Sequence, residues 1–271
     1  FIALRYVRAR RSNGFISFIS LVSVIGIALG VAALIVVLSV MNGFQKEIRS
    51  KIIGVTAHMQ LIDASGRLSD WENIAKRAKK NKHIVNYAPY VDGQALVSFD
   101  GNVSGVLVRG IKPELEKTVD NFGSQIIAGK ADSLVSGKFN IIIGKDLARQ
   151  LGVQVGDKIT LIAPDGQVTP AGMIPRLKQF TITGIFNLHM FEYDSSLVLI
   201  DLADAQVLFK MNDTVSGVRL TVDDVMNTGQ IKLELGRVLP DDILATDWID
   251  QHANYFAAVE LEKIGRASCR E

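Results

Sequence analysis

Cysteine is almost absent: Cys269 stands alone, so no internal disulfide can form, and one thiol does not fix a redox compartment. An excess of charge is missing too. The 30 Lys+Arg and 28 Asp+Glu leave a formal net charge of +2, too little to give an electrostatic footprint for nucleic acid. Catalytic signatures are equally scarce. Gly129-Lys130 and Gly137-Lys138 lack both the upstream glycine and the following Ser/Thr of a phosphate loop, so ATP hydrolysis by that route is excluded. Gly101-Asn-Val-Ser104-Gly105 falls one residue off a nucleophile elbow and sits in a predicted hairpin, where it serves as turn chemistry. His58, His83, His189 and His252 are scattered with no ligand spacing. Asp247, Asp250 and His252 could gather on one helix, a pattern more often met on a polar helix surface. No enzyme activity, metal or cofactor is expected.

What the chain does have is a long uncharged run. From Ser17 to Val40 no charged residue occurs. At ~1.5 Å per residue, ~24 residues make ~36 Å of helix, enough to cross a ~30 Å hydrocarbon core. A cleaved signal peptide would have a shorter apolar stretch and a small-x-small site, which Met41-Asn42-Gly43-Phe44 does not offer. Arg5, Arg8, Arg10 and Arg11 precede the run without an acidic residue, whereas Glu47 accompanies Lys46, Arg49 and Lys51 after it. That bias predicts a cytoplasmic N-terminus and an extracytoplasmic remainder. Within the run, Gly26 and Gly30 form a GxxxG that would let another helix approach closely; membrane helices also hold such glycines by chance. The stretch before it fits a short amphipathic surface helix and equally an ordinary positive flank.

Past Ile53 the pattern becomes mixed α/β. Val55, Ala57, Met59 and Leu61 alternate with polar residues as in a half-buried strand. Ser69-Asp-Trp-Glu72 has the form of a capping box opening a helix to about Lys80. Strands are predicted at 94–99 and 105–111 around an Asp100-Gly101-Asn102 turn, then at 139–143, 158–163, 180–186, 197–200 and 216–222. Helices are predicted at 145–151, 203–210, 225–239 and 247–263. Without a period or repeat, this predicts an α+β domain of two subdomains. Between Ala163 and Leu177 stand Pro164, Pro170 and Pro175, half of the six prolines, together with Val168, Met173 and Ile174. A loop of that length between adjacent strands is either functional or a tolerated insertion. Its prolines would reduce the entropy lost on docking to a partner. Organisation is expected as a 1–14 cytoplasmic flank, a 15–44 transmembrane helix, a 45–263 periplasmic domain and a 264–271 tail. That tail, with Cys269, reads as a remnant outside the fold.

Seven stretches together resemble permeases of the lipoprotein-releasing (Lol) ABC-transporter family. They are Leu4-Arg5-Tyr6 with Ser23–Gly30 and Leu38–Phe44; Ile143–Ala148 with Leu151–Lys158; and Thr169–Pro175 leading into Phe180–Phe186. The resemblance implies one N-terminal membrane helix followed by a periplasmic α+β domain of the MacB-like core kind. It also implies a non-catalytic membrane subunit that pairs with a second permease subunit and a separate cytoplasmic LolD-type ATPase. Such complexes extract lipoproteins from the bacterial inner membrane and pass them to the periplasmic chaperone LolA. By resemblance, Pro164, Val168, Pro170, Met173, Ile174 and Pro175 correspond to a chaperone-binding hook, with Arg176 and Lys178 as nearby contacts. Val40, Met41 and Phe44 would line a lipoprotein cavity. Other readings are a MacB-type efflux or FtsX-type permease, or a single-span periplasmic sensor or scaffold.

Overall fold

The computed structural model describes residues 14–55, 58–119, 122–169 and 172–251. The chain divides into two compact units, Phe1–Ile52 and Ile53–Glu271. Helix α1 (Gly14–Val55) runs through 42 residues. Its Phe18–Met41 stretch has a mean hydropathy of 3.0 and none of it is buried, as suits a helix whose solvent is lipid. The helix does not stop near residue 44, and Val55 ends it rather than opening a strand. Lys46, Glu47, Arg49 and Lys51 are good helix formers, and the apolar alternation beyond them is too short to override that propensity.

The second unit is built on one ten-stranded sheet. Its strands are β1 (Met59–Asp63), β2 (Ile84–Phe99), β3 (Asn102–Ile111), β4 (Ile126–Gly129), β5 (Asn140–Gly144), β6 (Lys158–Thr169), β7 (Gly172–Phe186), β8 (Leu197–Asp201), β9 (Gly217–Val222) and β10 (Ile243–Asp247). The α+β class expected from the sequence is what the chain adopts, with the two predicted halves sharing this sheet. The pairings β2–β3, β3–β8, β8–β5, β5–β7, β7–β6 and β6–β2 return to their start. These strands therefore close a barrel, and closure removes their free edges. Val97, Val108, Ile141, Leu161, Ile182 and Ile200 fill its interior at 0% exposure, each burial contributing about 1.5–3 kcal/mol over leaving the side chain in water.

Strand β2 belongs to two structures at once. Its first half pairs with β9, which continues to β1 and β10; its second half lies in the barrel. The sequence shows only that second half, because Pro89 argues against a strand. At Pro89 the ladder has a partner on one side only, β9, so the missing N–H costs no pairing. The turn to β3 is made by Asp100 and Gly101 at φ 46° and 83°, the left-handed pair that a two-residue hairpin requires.

The helices of this unit are short: α2 (Trp71–Ala78), α3 (Pro113–Val119), α4 (Lys145–Leu151), α5 (Phe191–Ser196), α6 (Leu202–Phe209), α7 (Thr228–Leu235) and α8 (Trp248–Gln251). The capping box does not form as predicted. Asp70 rather than Ser69 is the N-cap, in the left-handed region without a side-chain cap bond, and Asn73 donates to its carboxylate at 2.8 Å. The predicted 225–239 helix is broken into a 3-10 turn and α7, which stops at Gly236 ahead of Pro240. Asp247 ends β10 instead of lying in a helix, and its Oδ1 accepts from the backbone N–H groups of Ile249 and Asp250. The remainder of the predicted 247–263 helix lies outside the described residues.

Candidate functional site

The proline-rich segment is not a loop. β6 and β7 continue through it as a two-stranded ribbon, with Gln167 opposite Ile174, Val168 opposite Met173 and Thr169 opposite Gly172. Below the ribbon the same strands lie in the barrel, with Ala163 opposite Arg176. Between the two ladders the register breaks. Pro164 and Pro175 both stand at that break, where neither has an N–H to give a ladder. The prolines that suggest a loop in the sequence thus separate an arm from the barrel. Pro170 lies outside the described residues, as do the side chains of Val168, Met173 and Ile174.

Strand parity sorts the residues at the arm's root. Opposed residues share a face in an antiparallel pair. Arg176 is opposite Ala163 and Lys178 opposite Leu161, and both partners are fully buried. Arg176 and Lys178 therefore belong to the body-facing side. Arg176 Nη1 donates to the Leu208 carbonyl at the end of α6, 3.4 Å away. Lys178 Nζ stands 3.8 Å from the centroid of the Phe139 ring, which in turn meets Phe180 edge-on at 5.6 Å and 80°.

The opposite side is apolar and open. Gly105, Leu96, Ile162 and Leu177 align in register across β3, β2, β6 and β7. Leu96 is 45% and Leu177 61% exposed. Gly105, Leu96 and Ile162, with Pro164 and Pro175, border a groove of about 760 Å³. Sequence reasoning missed this row. The signal was an apolar residue at both parities of one strand, as in Ile159-Thr-Leu161-Ile162-Ala163 and Ala95-Leu96-Val97.

A second concentration of polar groups lies where β2 leaves the barrel. Arg109 Nε and Nη2 donate to the two Asp92 oxygens at 2.8 Å each. Burial alone would lower the Arg109 pKa, but the Asp92 carboxylate outweighs it and holds the guanidinium charged above its ordinary value. Tyr90 donates to Gln60 Oε1 at 2.8 Å, and burial, aided by Asp92, pushes its hydroxyl up to about 12. Nearby, Arg219 pairs with Glu116 of α3, both almost wholly buried. None of these groups is a nucleophile with an adjacent base, and their geometry ties β2, β3, β9 and α3 together.

Among the described residues the histidines do not assemble. His58 takes a hydrogen bond from the Val222 N–H at 3.1 Å, His83 meets Asp223 at 3.0 Å, and His189 faces Asn187; His252 lies outside the described residues. On α1, Val40 is 67% exposed and Met41 half-buried, while the Phe44 side chain is outside the description. At Gly26 and Gly30 a Cβ would meet nothing within 4 Å.

The family model of the MacB-like periplasmic core domain matches residues 20–238. The lipoprotein-releasing system transmembrane protein LolC of Neisseria meningitidis is 46% identical over 263 residues, covering 97% of this chain and 63% of that protein. A protein of the same name from Xylella fastidiosa is 38% identical over 262 residues, again covering 97% and 63%. The lipoprotein-releasing system transmembrane protein LolE of Haemophilus influenzae is 30% identical over 266 residues, covering 96% of this chain and 64% of that protein. The chain thus spans somewhat less than two thirds of the length of the curated relatives it matches.

Proposed function

The chain belongs to the MacB-like periplasmic core domain family, and from that premise we propose that it serves as a transmembrane permease subunit of an ABC transporter releasing lipoproteins from the inner membrane to the chaperone LolA. The observation that carries this reading is 46% identity, across 97% of the chain, to a protein named for lipoprotein release.

The parts divide as follows. The arginines ahead of α1 keep the N-terminus cytoplasmic and the barrel periplasmic. Gly26 and Gly30 pack α1 against helices of the permease pair. Val40, Met41 and Phe44 border the lipoprotein's path at the outer end of the span. ATP is hydrolysed on a separate LolD-type subunit, since this chain carries no phosphate loop. The β6–β7 arm, with Pro164, Val168, Pro170, Met173, Ile174 and Pro175, docks LolA. A ribbon suits that task because its backbone is already ordered, so docking loses less conformational entropy than a free loop would.

The test is to replace residues 165–174 with a short Gly-Ser turn in the full chain in detergent and to titrate LolA from the same organism by calorimetry. Binding heat should vanish while the thermal melt stays close to that of the parent, because the barrel ladder ends at Ala163 and Arg176. Unchanged affinity would remove the reason to prefer lipoprotein release over MacB-type efflux or FtsX-type control.

A further inference from the structure

We propose that the groove on the outer face of β3, β2 and β6 is a binding site for an acyl chain. The site is argued from the groove alone; only the source of the chain, a lipoprotein cargo, rests on the function proposed above.

A glycine that the domain does not otherwise need keeps the groove open. Glycine inside a strand loses conformational entropy and contributes no packing, so it calls for a reason. Two glycines of these strands have one. A Cβ on Gly93 of β2 would come within 2.4 Å of the Phe209 ring, and one on Gly110 of β3 within 2.3 Å of the Ala205 Cβ, so both make room for α6. Gly105 of β3 has no such neighbour. Its φ is not among the positive values that favour glycine, and a Cβ there would meet nothing within 4 Å. The space above it belongs to the groove, which Gly105 lines. A strand glycine without a crowding neighbour in its own fold marks a place where something else approaches closely.

The lining sets the chemical class of what approaches. Gln94 is opposite Leu107, and Leu96 is opposite both Gly105 and Ile162, so these residues share the outward parity. Gln94 supplies the one polar side chain among the lining residues, and no Lys, Arg, Asp or Glu is among them. Pro164 and Pro175, at the arm's base, have no N–H to offer. The floor is committed as well: at Leu96, β2 pairs with β3 on one side and with β6 on the other. An extended peptide laid here would leave backbone amides without partners, each at the cost of a lost hydrogen bond. A hydrocarbon chain carries no such groups and gains by leaving water. With no charged residue in the lining, a headgroup stays outside and the chain alone is held. The volume of about 760 Å³ falls within the roughly 300–1,000 Å³ of small-molecule sites.

The experiment uses the full chain in amphipol and palmitic acid bearing a terminal diazirine, with adducts mapped by mass spectrometry after irradiation. Adducts are expected on Leu96, Leu107 or Ile162. They are expected on α1 too, where none of Phe18–Met41 is buried, and these serve as the internal standard. Gly105→Trp places an indole in the groove without a clash at the Cβ. It should lower the groove adducts by about tenfold or more and leave those on α1 unchanged. A parent without groove adducts, or a Gly105→Trp variant that keeps them, would overturn the inference. So would a parent without groove adducts whose LolA binding is lost in Gly105→Trp, since the groove would then be a protein contact. If Gly105→Trp fails to fold, Leu96→Gln decides: an amide on the floor should lower the same adducts. The source of the chain is tested in nanodiscs, with the diazirine placed either on a synthetic lipopeptide or on phosphatidylethanolamine. Groove adducts from the lipopeptide support a cargo site. Adducts from the phospholipid alone would uphold the acyl site and refute its part in lipoprotein release.

Discussion

Removing Arg219 tests the reasoning about the junction most directly. Arg219 is 2% and Glu116 4% exposed, and the pair links β9 to α3, elements separated by about a hundred residues of sequence. Arg219→Met keeps the volume near that of the parent and leaves the Glu116 carboxylate buried without its counter-charge. Breaking a buried pair in this way costs about 3–5 kcal/mol. Two features pull the expected loss to the lower end. Arg109 lies close enough to repel Arg219, so its removal relieves that repulsion. Glu116 Oε2 has no hydrogen-bond partner among the described residues, so the carboxyl can take up a proton there and shed its charge. A loss of about 3 kcal/mol corresponds to a melt lowered by roughly 6–12 °C for a domain of this size. Burial without its counter-charge disfavours the Glu116 carboxylate in the folded variant, so the deficit should shrink as the pH falls from 7.5 toward 5. The double replacement Arg219→Met with Glu116→Leu substitutes an apolar pair and should recover most of the loss. Urea denaturation of parent, single and double variants at pH 7.5 and 5.5 provides the measurement. A single variant within 1 kcal/mol of the parent, or a double variant no better than the single, would refute the account.

Two further expectations concern acid stability and topology. Burial lowers the pKa of His58 below the ordinary histidine value, and its Nδ1 accepts the Val222 N–H. The neutral form is therefore the folded one: its contribution is full above the unfolded histidine pKa and is lost as pH falls through the folded value. The melting temperature should drop between pH 7.5 and 5, and His58→Asn should flatten that dependence; equal slopes in the two proteins would show that His58 does not carry it. For topology, protease added to spheroplasts should digest the 53–251 region and spare the N-terminal flank, and protection of that region would reverse the orientation drawn from the arginines.

Legibility in the sequence followed the range of the interactions. The membrane helix, the Lys145–Leu151 helix and the cores of β5, β7, β8 and β9 could be read because each depends on neighbours two to four residues away. The full length of β2 could not, since a strand containing Pro89 is tolerable only when the pairing partner is known. Strand β10 is not visible in the sequence, where only its last residue, Asp247, falls in a predicted helix; Asp247 caps α8, and a capping carboxylate looks the same in sequence whether a strand or a loop precedes it. At the arm, composition singled out the segment and mistook its form. Prolines mark a loop locally, but Pro164 and Pro175 both stand at a register break between two ladders, a relation that appears only once β6 and β7 are paired. The same pairing decides which side Arg176 and Lys178 occupy. By charge alone they read as surface cations; by parity they follow Phe180 and Ile182 toward the body.

The break itself gives the arm its mechanical character. A free segment of this length would have to surrender about 1–2 kcal/mol of backbone entropy per residue on docking. The ribbon has already done so, through Gln167–Thr169 paired with Gly172–Ile174. At the break Pro164-Asp165-Gly166 of β6 stand against Pro175 of β7 alone, so the register shifts by two residues. No ladder N–H crosses either proline position, and the arm is internally ordered yet separated from the barrel by one discontinuity. The Arg176 and Lys178 contacts lie immediately on the barrel side of that discontinuity. If the arm docks a partner as proposed, an internally ordered ribbon loses less conformational entropy on binding than a free loop of the same length would.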